Sequence, residues 1–309
     1  MVDQNPRHVT GLFIFCEGPH DVAFVRQVLK YCFGVTRAKG ANGKDPTFSE
    51  FPAPLDKLFK TSMEKHAMGD LSLDMAHKFF LPDRLLRKND CYILLFNSGG
   101  KNKTEIIKGF LKDFLVLHPD AATFASGAGE ILGEVHYLFT YDADHLPATD
   151  TVRTMSQALA NIEDIEDTLW SLETMTLQEQ QHGTFKDNKG FYIWANNQDR
   201  GSLEDLVSPM FRESKDELYT KAETIIDDMF SWETDNEKEK EAFSAACKRK
   251  KAILTTMGQK KKPGGSLNVI IDQAGLLNKT AFQNSAPVSA FVDFLNAFTK
   301  WPVNSQGNQ

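Results

Sequence analysis

Two short stretches place carboxylates where they could do chemistry. The first is Gly11-Leu-Phe-Ile-Phe-Cys-Glu17-Gly18-Pro-His-Asp21. The second is Tyr137-Leu-Phe-Thr-Tyr-Asp142-Ala-Asp144. In each, an apolar run that reads as a buried strand stops at an acid. Glu17 and Asp21 are four apart and flank the first turn of a helix beginning near Pro19. Asp142 and Asp144, two apart, point the same way if the strand pleat persists. Carboxylates grouped without basic neighbours repel one another unless a cation joins them. Hard oxygen ligands of this kind suit Mg²⁺ or Mn²⁺. Two such ions about 3.5–4 Å apart stabilise both the attacking and the leaving oxygen of a phosphodiester. Each stretch alone has a plainer reading, Glu17 as a helix-start acid favoured by the helix dipole and Asp142 with Asp144 as turn residues after a strand. Their conjunction, each after an apolar strand, favours a divided metal site.

The elements that must position these acids form an alternating pattern. Pro19 opens a helix with Val22, Val25, Val28 and Leu29 on its apolar face. Residues 34–89 show no clear strand and read as a mostly helical insertion, with amphipathic pieces at Leu55–Met63 and Met75–Phe80. Cys91–Phe96 is a second strand, followed by a helix through Ile106 to Leu115. Val135–Tyr141 is a third, followed by a helix from Thr149 to Ala160 and an acidic helix over Ile162–Gln181. Gly190–Trp194 is a fourth. Strands alternating with helices imply right-handed crossovers and a parallel sheet, with ligands at the carboxyl ends of its strands. From Phe211 to Met257 the pattern is helical, with a capping box at Thr234-x-x-Glu237. Helices over Leu267–Leu277 and Val288–Phe298 close the chain.

Three further features bear on function. Gly201-Ser-Leu-Glu204-Asp205-Leu reads as a helix start with acids in its first turn. Gly99-Gly100-Lys101-Asn102 fails the phosphate-loop pattern, because Leu95 stands where its first glycine belongs and Asn102 where Ser or Thr belongs. It reads as a tight turn between strand and helix. Lys248-Arg-Lys-Lys251 and Lys260-Lys-Lys262 are either a solvated face or, with Arg200, a phosphate-contacting rim. His20 and His145 adjoin the acids and are candidate proton shuttles. Phe191, Tyr192 and Trp194 read as strand-core aromatics rather than a base-stacking platform.

Composition sets the bounds. The chain has 309 residues, enough for a substantial core, and 41% hydrophobic with 25% charged residues is ordinary for a globular protein. A net charge of −7 argues against a protein that coats nucleic acid, though not against a local basic groove. The four cysteines lack metal-ligand spacing and read as reduced core thiols. No run approaches the ~20 apolar residues of a membrane span, and no secretion signal is evident. The expected setting is the cytoplasm.

Strand-Glu17-Gly18-x-x-Asp21, a second strand–helix unit and strand-Asp142-x-Asp144 resemble the TOPRIM domain of topoisomerases, primases and OLD-type nucleases. Gly201-Ser-Leu-Glu204-Asp205-Leu resembles a turn of the OLD-like and stand-alone TOPRIM proteins. The resemblance covers roughly residues 10–33 and 90–210. It implies an α/β, Rossmannoid, TOPRIM-like core with a central, mostly parallel, four-stranded sheet over residues 1–33 and 90–210. A helical insertion at 34–89, a cap over the site, and a helical C-terminal region at 211–309 packed on the core complete the expected organisation. By the same resemblance, Glu17, Asp21, Asp142 and Asp144, with Glu204 or Asp205, hold Mg²⁺ or Mn²⁺, and Lys250 or Lys251 stands near the scissile phosphate. The implied function is a metal-dependent nuclease acting on DNA or RNA, such as a phage-defence effector restrained by a separately encoded partner, for instance an ATPase. Two rivals stay open. One is a non-catalytic module that binds nucleic acid or protein. The other is a phosphatase with Asp142 as nucleophile and Asp144 as acid, although Leu146 stands where its motif has Thr or Val.

Overall fold

The computed structural model describes residues 6–67, 80–124, 129–160, 162, 183–196, 199–232 and 239–301. In chain order the strands are β1 (Arg7–Cys16), β2 (Thr36–Arg37), β3 (Arg84–Lys88), β4 (Cys91–Asn97), β5 (Glu130–Asp142), β6 (Gly183–Lys186) and β7 (Lys189–Trp194). The helices are α1 (Pro19–Phe33), α2 (Leu55–Ala67), α3 (Thr104–Leu117), α4 (Ala121–Phe124), α5 (Ala148–Ala160), α6 (Leu203–Ser214), α7 (Asp216–Met229), α8 (Glu239–Gly258), α9 (Leu267–Gln273), α10 (Lys279–Gln283) and α11 (Ala286–Thr299). The chain is an α/β protein.

The strands form one sheet in the order β2-β3-β4-β1-β5-β7-β6. It has seven strands rather than four, and it is mixed rather than mostly parallel. β2 pairs antiparallel with β3, β3 with β4, and β6 with β7. The first two pairings come from the segment expected to be helical. β2 is two residues long and β3 is Arg84-Leu-Leu-Arg-Lys88, with only two apolar residues, so neither carries the apolar run that marks a buried strand. β6 is a short hairpin partner to the anticipated β7. The expected helix start at Thr234 and the acidic helix over 162–181 lie outside the described residues, save Ile162, as does most of Met75–Phe80.

β1 is central in this order, and from Gly11 to Cys16 every residue is buried. A strand covered on both faces reads as a continuous apolar run, which is the run seen in the sequence. Arg7 donates its N–H to Gly129 O near the start of both strands, and Glu17 donates to Thr140 O near their ends. β1 and β5 therefore run in the same direction, and their carboxyl ends lie side by side.

The chain divides into two compact units, Met1–Phe15 with Val35–Leu138 and Met155–Thr174, and Cys16–Gly34 with Phe139–Thr154 and Met175–Gln309. The first is built on a cluster of rings. Phe13 is fully buried and meets Phe114 at 5.1 Å, Tyr137 edge-on at 5.7 Å, and Phe96 and Phe110 at 6.0 Å. In the second, Trp194 of β7 meets Tyr192 and Phe291 of α11, both at 4.9 Å, and Phe24 of α1 at 5.5 Å. Edge-to-face pairs of this kind add to plain area burial.

Phe13→Ala removes the ring at the centre of the first cluster and is expected to lower unfolding stability by about 3–5 kcal/mol. Urea unfolding checks this, and a loss under about 1 kcal/mol would show that the ring cluster is not the core of that unit.

Candidate functional site

The acids singled out in the sequence all fall in the second unit, at the ends of β1 and β5 and the starts of α1 and α6. α1 begins with Pro19 at its first position, and Asp21 Oδ2 accepts the Gly18 N–H at 2.9 Å. This closes the free helix start as a capping acid does. Glu17 Oε2 accepts the N–H of Asp142 at 3.0 Å, tying the end of β1 to the end of β5. Asp142 Oδ1 in turn accepts the Leu203 N–H at 2.8 Å, so the start of α6 points at the end of β5. A helix N-terminus carries partial positive charge and free N–H groups, which suits a carboxylate.

β5 ends at Asp142, and Asp144 has a left-handed backbone with φ 61°. The pleat on which the shared orientation of Asp142 and Asp144 depended does not persist. Asp144 pairs instead through its backbone with Gly201, donating at 2.7 Å and accepting at 2.8 Å. Gly201 has φ +121°, and a Cβ there would lie 2.9 Å from Asp205 Oδ2. Glycine is required at that point by both conformation and space.

The site is electrostatically divided. Asp21 is buried, and burial, then the charges of Glu17 and Glu204, push its carboxyl up to about 8 against the opposing Gly18 N–H. Asp142 is raised well above the carboxylate range by burial and by Asp21, Glu17 and Glu204, opposed by the Leu203 N–H. Asp21 Oδ1 is buried with no hydrogen-bond partner among the described residues. Glu204 is 3% exposed and goes the other way. Burial raises it, but His20, Lys251 and Ser202 outweigh burial and bring it down to about 2. His20 Nδ1 lies 3.4 Å and Lys251 Nζ 3.3 Å from Glu204 Oε1. Desolvation lowers Lys251, yet Glu204 and Asp142 leave it above its ordinary value.

The two sequence ambiguities separate here. Asp205 caps its own helix, with Oδ2 accepting the Ser202 N–H at 2.8 Å and Oδ1 holding the Lys250 ammonium. Glu204, not Asp205, is the acid whose charge acts on Asp21 and Asp142. Likewise Lys251 faces the carboxylates while Lys250 is held by the cap. Arg249 pairs with Asp227 and with Glu223, the latter at 3.0 Å, and Arg200 pairs with Glu239. Much of the expected basic rim is thus neutralised within the chain. The sequence reading missed the Leu203 amide and the Cys247 thiol, whose Sγ lies 3.4 Å from Ser202 Oγ. The helix start at Ser202 was the available signal for the amide.

Fitness for a cation can be judged from these donors. Several carboxylates that raise one another, and a buried oxygen without a partner, form a set that a hard divalent ion would relieve. Among the described residues, however, no three or more His, Cys, Asp or Glu side chains are gathered as around a metal ion. Each of Glu17, Asp21 and Asp142 instead has an oxygen on a backbone amide.

An α/β protein with a cluster of acids at its strand ends is the class that fold and site define. Over residues 13–300 the chain matches the model of a protein family described as a protein of unknown function, DUF3226, and it belongs to that family. No curated protein matches it. It is similar to the hypothetical protein PH0156 from Pyrococcus horikoshii OT3, known from a crystal structure. Identity is 12% and the TM-score 0.41, covering 94% of this chain and 95% of that one.

The raised Asp21 fixes a pH dependence. Folded, this carboxyl keeps its proton up to about pH 8, whereas unfolded it releases it near its ordinary 3.8. Between these values the folded chain binds more protons, so its stability falls as pH rises, and the contribution is fully present below the lower value. In EDTA, melting temperature is expected to drop from about pH 5 to about pH 8 more steeply for the native chain than for Asp21→Asn. Parallel curves would refute the assignment.

Proposed function

We propose that this chain is a Mg²⁺- or Mn²⁺-dependent nuclease with a TOPRIM-like core that hydrolyses phosphodiester bonds in DNA or RNA. The observation that carries the reading is the cluster of Glu17, Asp21, Asp142 and Glu204, drawn from three separated stretches of chain. It raises Asp21 and Asp142 and leaves Asp21 Oδ1 buried with no partner among the described residues. The order of these acids along the chain is the one the TOPRIM resemblance implies.

In this reading Glu17, Asp21 and Asp142 hold the metal, with Asp144 and Glu204 as further candidates at the same strand ends. A divalent ion bound there would polarise a phosphoryl oxygen and neutralise developing charge. Lys251 adds a second positive charge beside the carboxylates and would stabilise the phosphoryl oxygens as the bond breaks. Its contact with Glu204 orients the ammonium, and His20, on the same carboxylate, would carry a proton to or from the reacting centre. Lys250, held by Asp205, is left to the helix cap. A separately encoded regulatory partner, such as an ATPase, fits the same reading.

The second reading is a TOPRIM-like module without turnover. It is favoured by the pairing of Glu204 with Lys251 and His20, which offsets part of the acid charge without a cation.

The test is a cleavage time course on single- and double-stranded DNA and on RNA, with Mg²⁺, Mn²⁺ or EDTA. Metal-dependent cleavage is expected in the native chain. Glu17→Ala and Asp142→Asn should reduce it by about 100-fold or more, the scale of a lost electrostatic catalytic contact. Lys251→Ala should cost more than Lys250→Ala. Undiminished cleavage by Glu17→Ala, in a preparation whose circular dichroism matches the native chain, would overturn the nuclease. No cleavage of any substrate by the native chain would favour the module.

A further inference from the structure

A second basic feature lies in the first unit and is not used by the proposed chemistry. The terminal strand β2, its continuation and the β3–β4 turn line an open cavity of about 540 Å³, bounded by Thr36, Arg37, Ala38, Lys39, Arg87 and Asn89. Three of the six are cationic and none is acidic, in a chain whose net charge is −7. The volume falls within the range of small-molecule pockets.

The three cations differ. Arg87 is fixed, with Nε donating to Asn89 O at 2.9 Å, Nη1 to Tyr92 Oη at 2.6 Å and Nη2 to Glu130 Oε1 at 2.7 Å. It forms wall rather than hand. Among the described residues Arg37 pairs with Asp45, at 2.6 Å, and both side chains are more than half exposed. An exposed pair of this kind is weakly held and readily exchanged. Lys39 is exposed and makes no hydrogen bond or ion pair among the described residues. An exposed guanidinium and an exposed ammonium two residues apart thus flank a concave surface with hydroxyl and amide groups from Thr36 and Asn89.

We propose that this cavity binds a phosphate-bearing small ligand, with Arg37 and Lys39 as the recognising cations and Asp45 as the carboxylate it displaces. The planar fork of an arginine guanidinium can donate to two oxygens of one phosphate, and lysine adds a point charge. No aromatic side chain lines the cavity, so recognition centres on the anion and not on a stacked base. The site does not depend on the carboxylate centre or on a divalent ion.

Titration calorimetry on the full chain in EDTA, with inorganic pyrophosphate and with ADP as probes, tests it. Binding of at least one probe is expected, weakened about 10-fold or more by the double variant Arg37→Ala/Lys39→Ala, the scale of lost charge-assisted hydrogen bonds. Asp45→Asn, which removes the competing acid, should tighten it. Equal affinity for both probes identifies the inorganic anion as the source, and tighter ADP identifies a nucleotide; either keeps the site. Affinity unchanged in the double variant, or no heat with either probe at millimolar concentration, overturns it. Loss of nuclease activity in Glu17→Ala leaves this result untouched, so the two readings fail separately.

Discussion

Like charges held close together and away from water are the constraint on which the second unit depends. Asp21 and Asp142 sit where burial and the charges of Glu17 and Glu204 both oppose ionisation. Such an arrangement persists only if protons, hydrogen-bond donors or cations offset the repulsion. The chain uses the first two directly. Burial and repulsion favour the protonated forms of Asp21 and Asp142, which lowers the charge, and the amides of Gly18, Asp142 and Leu203 direct one oxygen each. Nothing in the packing of β1 or β5 requires acids at these positions, since the last residues of each strand before them are already buried.

The C-terminal helices are what make the cluster asymmetric. α8 brings Lys251 to Glu204, and α1 brings His20 to the same carboxylate, so Glu204 is pulled down while Asp21 and Asp142 are pushed up. Neighbouring lysines on α8 project about 100° apart around the helix, which is why adjacent residues have different duties. Lys250 completes a helix cap, Lys251 meets the carboxylates, and Arg249 ties α8 to α7 through Asp227 and Glu223. A run of four basic residues that looks like one feature is divided among several partners.

Family membership agrees with this picture without adding to it. The match spans residues 13–300, so it includes the carboxylate stretches, the insertion and most of the C-terminal helices together. Among the described residues no helix is long and apolar enough to cross a membrane. What the chain does must therefore be argued from its site, and the site is chemically specific even where its substrate is a proposal.

Much of this was legible in the residues themselves. The buried strands declare themselves by continuous apolar runs, α1 by Pro19 and its apolar period, and the site by acids placed where those runs end. Periodicity and burial are local properties, readable over a few residues. Other features were not legible. β2 and β3 are short and polar, and they become strands only because β4 offers an edge to pair with. The left-handed turn at Asp144 depends on pairing with Gly201, far away in the chain. Whether Glu204 or Asp205, and Lys250 or Lys251, faces the acids depends on how α6 places its first turn and α8 its fourth. One residue is one-third of a helical turn, and only tertiary contact sets that angle. The sequence by itself determined which residue types stand at the strand ends. The tertiary structure decided which of them meet, because charge acts through space and not along the chain.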